Sequence, residues 1–151
     1  AGEEAIQHVG GKFYIFRTSW VYSNIGHNFY LTIKGLSEKR DEIRVISDQF
    51  GVPTSSYFIA KHTQNIIKQL SSKNTGIYHL VPDGQCSWCE FAKQIITKTT
   101  PAFDINNILP VDTDQYPTNA KRPKSSVLDN SLIKTVFMLK FDDWKTELRK
   151  L

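Results

Sequence analysis

A chain of 151 residues, 40% of them hydrophobic, has the length of one domain and enough apolar material for a core, which excludes a disordered tail or linker. Nineteen basic against fifteen acidic residues give a net charge of +4, a mild preference for anionic ligands that is too weak and too scattered for a nucleic-acid surface. No apolar run approaches the roughly 18 to 20 residues of a membrane helix, Ala1-Gly2-Glu3-Glu4 has no feature of a secretion signal, and Cys86 and Cys89 are too few to staple a fold, so a cytoplasmic protein without a membrane partner is expected.

Glu3 to Val9 reads as the tail of a helix stopped by Gly10-Gly11, and it starts so abruptly that its beginning is expected upstream. Phe13-Tyr14-Ile15-Phe16 is a continuous apolar run of strand length, which predicts a strand buried on both faces, as in a parallel sheet covered by helices. Its exit, Thr18 to Tyr22, is where such folds meet ligands. From Asn28 to Lys39, Phe29, Ile33 and Leu36 repeat at helical spacing, and Ile43 to Ile46 reads as a short strand. Thr54 and Ser55 are good N-caps for a helix whose stripe is Ile59, Thr63, Ile66, Ile67 and Leu70, running to about Ser71.

Gly76 to Leu80 is another strand, and Pro82-Asp83-Gly84 is a turn by composition. Ser87-Trp88-Cys89-Glu90 matches the capping box, and Trp88, Phe91, Ala92, Ile95 and Ile96 continue it as an apolar helical stripe. Ile108 to Val111 suits a strand, Tyr116 to Pro123 an irregular proline-pinned loop, and Ser131 to Phe137 and Trp144 to Leu151 two closing helices. Strands alternating with helices argue for an α/β layer, in one unit over residues 1–151, although only two segments look like central strands. Either the fold is small and mixed, or strands lie on the N-terminal side of this chain.

Two Tyr-x-x-x-Lys pairs, Tyr30/Lys34 and Tyr57/Lys61, have the spacing at which an ammonium lowers a phenol's pKa for proton donation. Six tyrosines among so many lysines produce such pairs by chance, and an amphipathic helix surface accounts for both. Gly10-Gly11 precedes a strand, the reverse of the strand, loop and helix order that aims amides at a pyrophosphate. Cys86 and Cys89 flank a helix start, where a thiolate is favoured, yet neither a redox fold nor two further zinc ligands accompany them; His62 and His79 are candidates on paper only. Trp20, just past a buried strand, is either a core plug or a stacking platform for a sugar or base. Arg122 could grip a phosphate through its fork of donors, or stand solvated at the surface.

Several blocks stand in one order: Arg17-Thr18-Ser19-Trp20-Val21-Tyr22, Gly26-x-Asn28-Phe29, Asp48-Gln49-x-Gly51-x-Pro53-Thr54, Gly76-Ile77-Tyr78-His79-Leu80, Ser87-Trp88-x-x-Phe91-Ala92, and Tyr116-Pro117-Thr118-x-Ala120-x-Arg122-Pro123-x-x-Ser126-x-Leu128-Asp129. Together they resemble the dTDP-4-dehydrorhamnose reductases, which are extended short-chain dehydrogenases. The resemblance implies the C-terminal part of a Rossmann-type NAD(P)-binding fold with its substrate-binding subdomain, the N-terminal strands and glycine loop lying outside the chain. It implies reduction of dTDP-4-dehydrorhamnose to dTDP-L-rhamnose with NADPH or NADH, with the catalytic Tyr-x-x-x-Lys ending about two residues before Ala1. The two pairs above are then decoys, and this chain supplies the substrate side without hydride transfer of its own.

By the same resemblance Trp20 is the sugar-nucleotide contact, and Ser19, Val21, Asn28 and Arg122 line or support the substrate side. His27 stands where the family usually has Asn. Some relatives hold Mg2+ with glutamates at a dimer interface; such ligands cannot be placed here, and Mg2+ is left open. An exposed sheet edge would let two copies pair as a homodimer. The alternatives are a non-catalytic regulatory subunit resembling the methionine adenosyltransferase β subunit, which the Arg-Thr-Ser-Trp-Val-Tyr and Tyr-Pro-Thr blocks fit less well, and a redox protein using Cys86 and Cys89.

Overall fold

In a computed structural model of the chain, residues 1–116 and 122–151 are described, so the Pro117 to Lys121 part of the proline-pinned loop lies outside the described residues. The order is α1 (Gly2–Val9), β1 (Tyr14–Arg17), β2 (Val21–Tyr22), α2 (Phe29–Ser37), β3 (Ile43–Ile46), β4 (Phe50–Gly51), β5 (Thr54–Ser55), α3 (Ser56–Ile67), β6 (Gly76–His79), β7 (Cys86–Ser87), α4 (Trp88–Thr99), β8 (Ile108–Val111), α5 (Ser131–Val136) and α6 (Trp144–Arg149). Short 3-10 turns at Ile105–Asn107 and Thr113–Gln115 bracket β8.

Three parallel strand pairs, β1 with β6, β2 with β5 and β3 with β8, and one antiparallel pair, β4 with β7, make an α/β arrangement. The two-residue strands β2, β4, β5 and β7 carry no periodicity that a sequence could display. They exist because the segments after β1 and β3 run alongside the starts of α3 and α4.

The helix starts follow their caps. Ser55 accepts the Phe58 amide at 3.0 Å to begin α3, and Asn28 accepts the Leu31 amide at 3.2 Å to begin α2. At α4 the capping box closes both ways, the Glu90 amide donating to Ser87 Oγ at 3.1 Å and the Ser87 amide to Glu90 Oε2 at 2.7 Å. From there Phe91, Ala92, Ile95 and Ile96 are fully buried against α2, β3 and β8, so α4 is the spine of the larger core cluster.

Two expectations fail. The Phe13 to Phe16 run predicts a strand buried on both faces, but Tyr14, Ile15 and Phe16 are half-buried: β6 is the one partner of β1 among the described residues, and α1 buries none of its own side chains. The stripe Ile59, Thr63, Ile66, Ile67 and Leu70 holds at Ile66 and in part at Ile59 and Thr63, and fails at Ile67 and Leu70. The buried face is Phe58, His62 and Ile66, packed with Tyr78, Phe137 and Phe141 in the second cluster, while Ile67 is 60% exposed and Leu70 lies beyond the helix. The His62 imidazole packs between the Phe58 and Phe141 rings.

Candidate functional site

Past β1 the backbone turns sharply at Trp20, whose φ of 47° lies in the left-handed region that a bulky residue rarely adopts. Such strain persists where the surroundings over-determine it, and here they do. The indole stacks on Trp88 with ring centroids 3.5 Å apart and planes within 10°, and its N–H donates to Ser126 Oγ at 3.0 Å. Gly51 lies against the same indole: a Cβ built there would come 2.5 Å from Nε1 and 2.7 Å from Cζ2. The Trp20 carbonyl accepts the Thr54 amide, fastening the turn to β5.

Trp20 is therefore a fixed wall. It lines a cavity of about 280 Å³ with Gln49, Trp88, Arg122, Pro123 and Ser126. A larger neighbouring cavity of about 440 Å³ opens where α2 and β3 diverge, with Phe29, Thr32 and Ile33 on one side and Ile43, Arg44 and Val45 on the other. Gln49, Trp88 and Arg122 line both, so the two cavities are lobes of one cleft with these three residues at the waist.

Of the residues expected to serve the substrate, Trp20 and Arg122 stand in the smaller lobe, and Val21, Asn28 and Arg122 in the larger. His27 is at the larger lobe too, so the Asn-to-His departure falls on the cleft. Ser19 lines neither lobe: its hydroxyl donates to the Val52 carbonyl at 3.0 Å, supporting the wall from behind. Asn28 borders the cleft, but its side chain is fully engaged, accepting from Leu31 and donating to the Ser23 and Ile25 carbonyls, each at 3.1 Å. What Asn28 offers a ligand is the position of the α2 start.

Gln49 and Arg44 were not singled out as site residues by sequence. Gln49 belongs to the Asp48-Gln49-x-Gly51-x-Pro53-Thr54 block, just before the buried stretch from Gly51 to Ser55. Gln49 is only 4% exposed, and its Nε2 donates to Thr113 Oγ1 at 3.0 Å. Asp48 in turn accepts the Thr113 hydroxyl at 2.6 Å and the Thr113 amide at 2.9 Å, with Lys124 Nζ at 3.7 Å. The Thr113 hydroxyl bond, with smaller help from the Thr113 amide and Lys124, holds the Asp48 carboxyl below its usual range. This network ties the β3 exit to the β8 exit.

The competing chemistries find no support in the geometry. Burial raises the pKa of both thiols, that of Cys86 strongly, which disfavours the thiolate at each. His79 Nδ1 faces the Asp129 carbonyl at 2.8 Å, and no group of three or more His, Cys, Asp or Glu that could hold a metal occurs among the described residues. The Tyr30 hydroxyl belongs to a buried ring in the main core, where desolvation raises its pKa, and Tyr57 is exposed on α3; neither lines the cleft. Gly10 and Gly11 end α1 and lead into β1, the reverse of the strand-to-helix order that aims amides at a dinucleotide. No described helix is long and apolar enough to cross a membrane.

The family profile described as "RmlD substrate binding domain" matches residues 1–151. The chain is 36% identical over 156 aligned residues to a dTDP-4-dehydrorhamnose reductase of Escherichia coli K12, covering all of this chain and 52% of that protein. It is 38% identical to the spore coat polysaccharide biosynthesis protein SpsK of Bacillus subtilis, covering 99% of this chain and 50% of that one. Among solved structures, the dTDP-4-dehydrorhamnose reductase of Bacillus anthracis in complex with NADP superposes with a TM-score of 0.89 at 33% identity, over 99% of this chain and 51% of that chain. The Clostridium acetobutylicum reductase gives 0.88 at 35% identity. The chain thus spans about half the length of the curated relatives it matches, and its α/β fold is that of the corresponding half of these reductases. With the profile covering every residue and the fold shared at this level, the chain belongs to the RmlD substrate binding domain family.

Proposed function

We propose that this chain is the substrate side of a dTDP-4-dehydrorhamnose reductase, holding a dTDP-sugar in the two-lobed cleft, with NADPH- or NADH-dependent hydride transfer left to residues outside it. The observation that carries the reading is the waist shared by Gln49, Trp88 and Arg122. A nucleoside diphosphate sugar has two unequal bulky ends joined by a dianionic link, and the cleft has two unequal lobes joined at an arginine. The larger lobe, walled by Phe29, Ile33, Ile43 and Val45, suits the nucleoside. The smaller, walled by Trp20 and Trp88 with the Ser126 hydroxyl, suits a hexose in size and in its mix of apolar wall and polar group.

In this assignment Arg122 grips the diphosphate, and the start of α2 adds the favourable end of its dipole. Reduction of a ketone needs a hydride and a proton donor. Neither tyrosine-lysine pair reaches the cleft, so the chain by itself binds and orients the sugar nucleotide without turning it over.

Isothermal calorimetry of the 151-residue chain with dTDP-L-rhamnose tests the reading. Micromolar binding is expected, at least tenfold weaker for Trp20→Ala and for Arg122→Ala. Absence of heat from the folded wild-type chain, or binding indifferent to both substitutions, overturns it.

A further inference from the structure

We infer that Gln49 is a specificity-determining residue of this cleft, with its carbonyl oxygen oriented to accept a hydrogen bond from a hydroxyl of the hexose, and that Thr113 is the positioning residue that orients it. The inference rests on the dTDP-sugar reading above and goes further by naming which group tells the sugar-bearing nucleotide from the bare one. A buried primary amide can usually turn end for end, offering either donor or acceptor at a given spot. At Gln49 that freedom is removed by a chain of three hydrogen bonds.

The chain starts at the Asp48 carboxylate, which can only accept. It takes the Thr113 amide and the single hydroxyl proton of Thr113, the latter at 2.6 Å. Having donated that proton, Thr113 Oγ1 has only lone pairs left for Gln49. The group it meets at 3.0 Å must therefore be the amide nitrogen, and Gln49 Nε2 is what stands there. With the nitrogen turned toward Thr113, the carbonyl oxygen is turned away from it. The Thr113 hydroxyl bond lowers the Asp48 pKa, which favours the accepting carboxylate and keeps the polarity of the chain.

Location supplies the ligand's side of the argument. Gln49 is 4% exposed yet borders both lobes, so a ligand spanning the waist meets it after desolvation, where one hydrogen bond discriminates most. With the diphosphate held on Arg122, an acceptor on the hexose side of the waist selects an O–H donor. The lobe on the Trp20 side, with two indoles, Pro123 and a serine hydroxyl, is built for a small hydroxylated ring.

Calorimetry of the 151-residue chain with dTDP-L-rhamnose and with dTDP separates the possibilities. Gln49→Met keeps the length and removes the acceptor; Gln49→Asn withdraws it by one methylene and serves should the methionine variant fold poorly. Both are expected to weaken dTDP-L-rhamnose about tenfold, the worth of one buried hydrogen bond, and dTDP far less. Thr113→Val should weaken the sugar nucleotide several-fold with the same selectivity, and Thr113→Ser should restore it, because only the hydroxyl is needed. Equal losses for both ligands, or none for either, in folded variants of a binding-competent chain overturn the inference alone. Failure of the wild-type chain to bind dTDP-L-rhamnose overturns the proposed function and this inference with it.

Discussion

Gly51→Ala perturbs the Trp20 wall by adding one methyl against the indole, beside the N–H that donates to Ser126. Gly51 has a backbone conformation open to any residue, so alanine there is not strained by φ, and the whole penalty is steric. A methyl 2.5 Å from Nε1 and 2.7 Å from Cζ2 of Trp20 cannot be accommodated in place, and the indole cannot retreat, because Trp88 is stacked on it at 3.5 Å. Overpacking of this kind costs about 1–3 kcal/mol, offset by about 0.4–1 kcal/mol from the reduced freedom of the unfolded chain on replacing glycine. The net is about 1–2 kcal/mol, a fall in Tm of about 2–8 °C for a chain of this size. Chemical denaturation followed by fluorescence measures the first, and the near-ultraviolet circular dichroism of the Trp20–Trp88 pair reports whether the stack has moved. The decisive arm is the double-mutant cycle with Trp20→Ala. Once the indole is gone the clash is gone, and Gly51→Ala should become neutral or slightly stabilising. A Gly51→Ala penalty that persists unchanged in the Trp20→Ala background would refute the steric argument, as would an unaltered near-ultraviolet spectrum.

Two further outcomes are expected. His62 is buried between Phe58 and Phe141, and desolvation first, then Lys61, depresses its pKa against the opposing pull of Glu147 and Asp142. A depressed folded pKa means that the unfolded chain takes up the proton more readily. This contribution to stability is complete above the unfolded value near 6.5 and is lost as pH falls below it. Urea midpoints from pH 8 to 5 should fall more steeply for the wild type than for His62→Phe, and parallel curves would remove His62 from the account. Cys86 and Cys89, buried and with raised pKa, should resist Ellman's reagent in the native state and titrate together on unfolding in guanidinium; prompt native reaction would contradict their burial.

The capping box at Ser87 and Glu90, the Asn28 and Ser55 caps and the apolar period of α4 are local, so they were legible residue by residue. What failed was burial on α3 and β1. Period alone ranks Ile67 and Leu70 above His62, and only the ring packing from Phe141, contributed from far along the chain, decides that the imidazole faces inward. The two-residue strands were illegible because pairing needs a partner, and β2 and β5, or β4 and β7, lie over thirty residues apart or join across separate turns.

For the site, the sequence supplied candidates only, Trp20, Ser19, Val21, Asn28 and Arg122, through ordered blocks and the family resemblance that they carry. Tertiary structure decided their parts. It wedged Trp20 between Trp88 and Gly51, set Ser19 behind the wall, turned Asn28 into a cap, and brought Gln49 to the waist beside Arg122. The reason is range. A cap or a helical stripe is settled within one or two turns of chain, whereas the Gln49–Thr113 and Trp20–Ser126 bonds join residues 64 and 106 positions apart and exist only once the layers have packed.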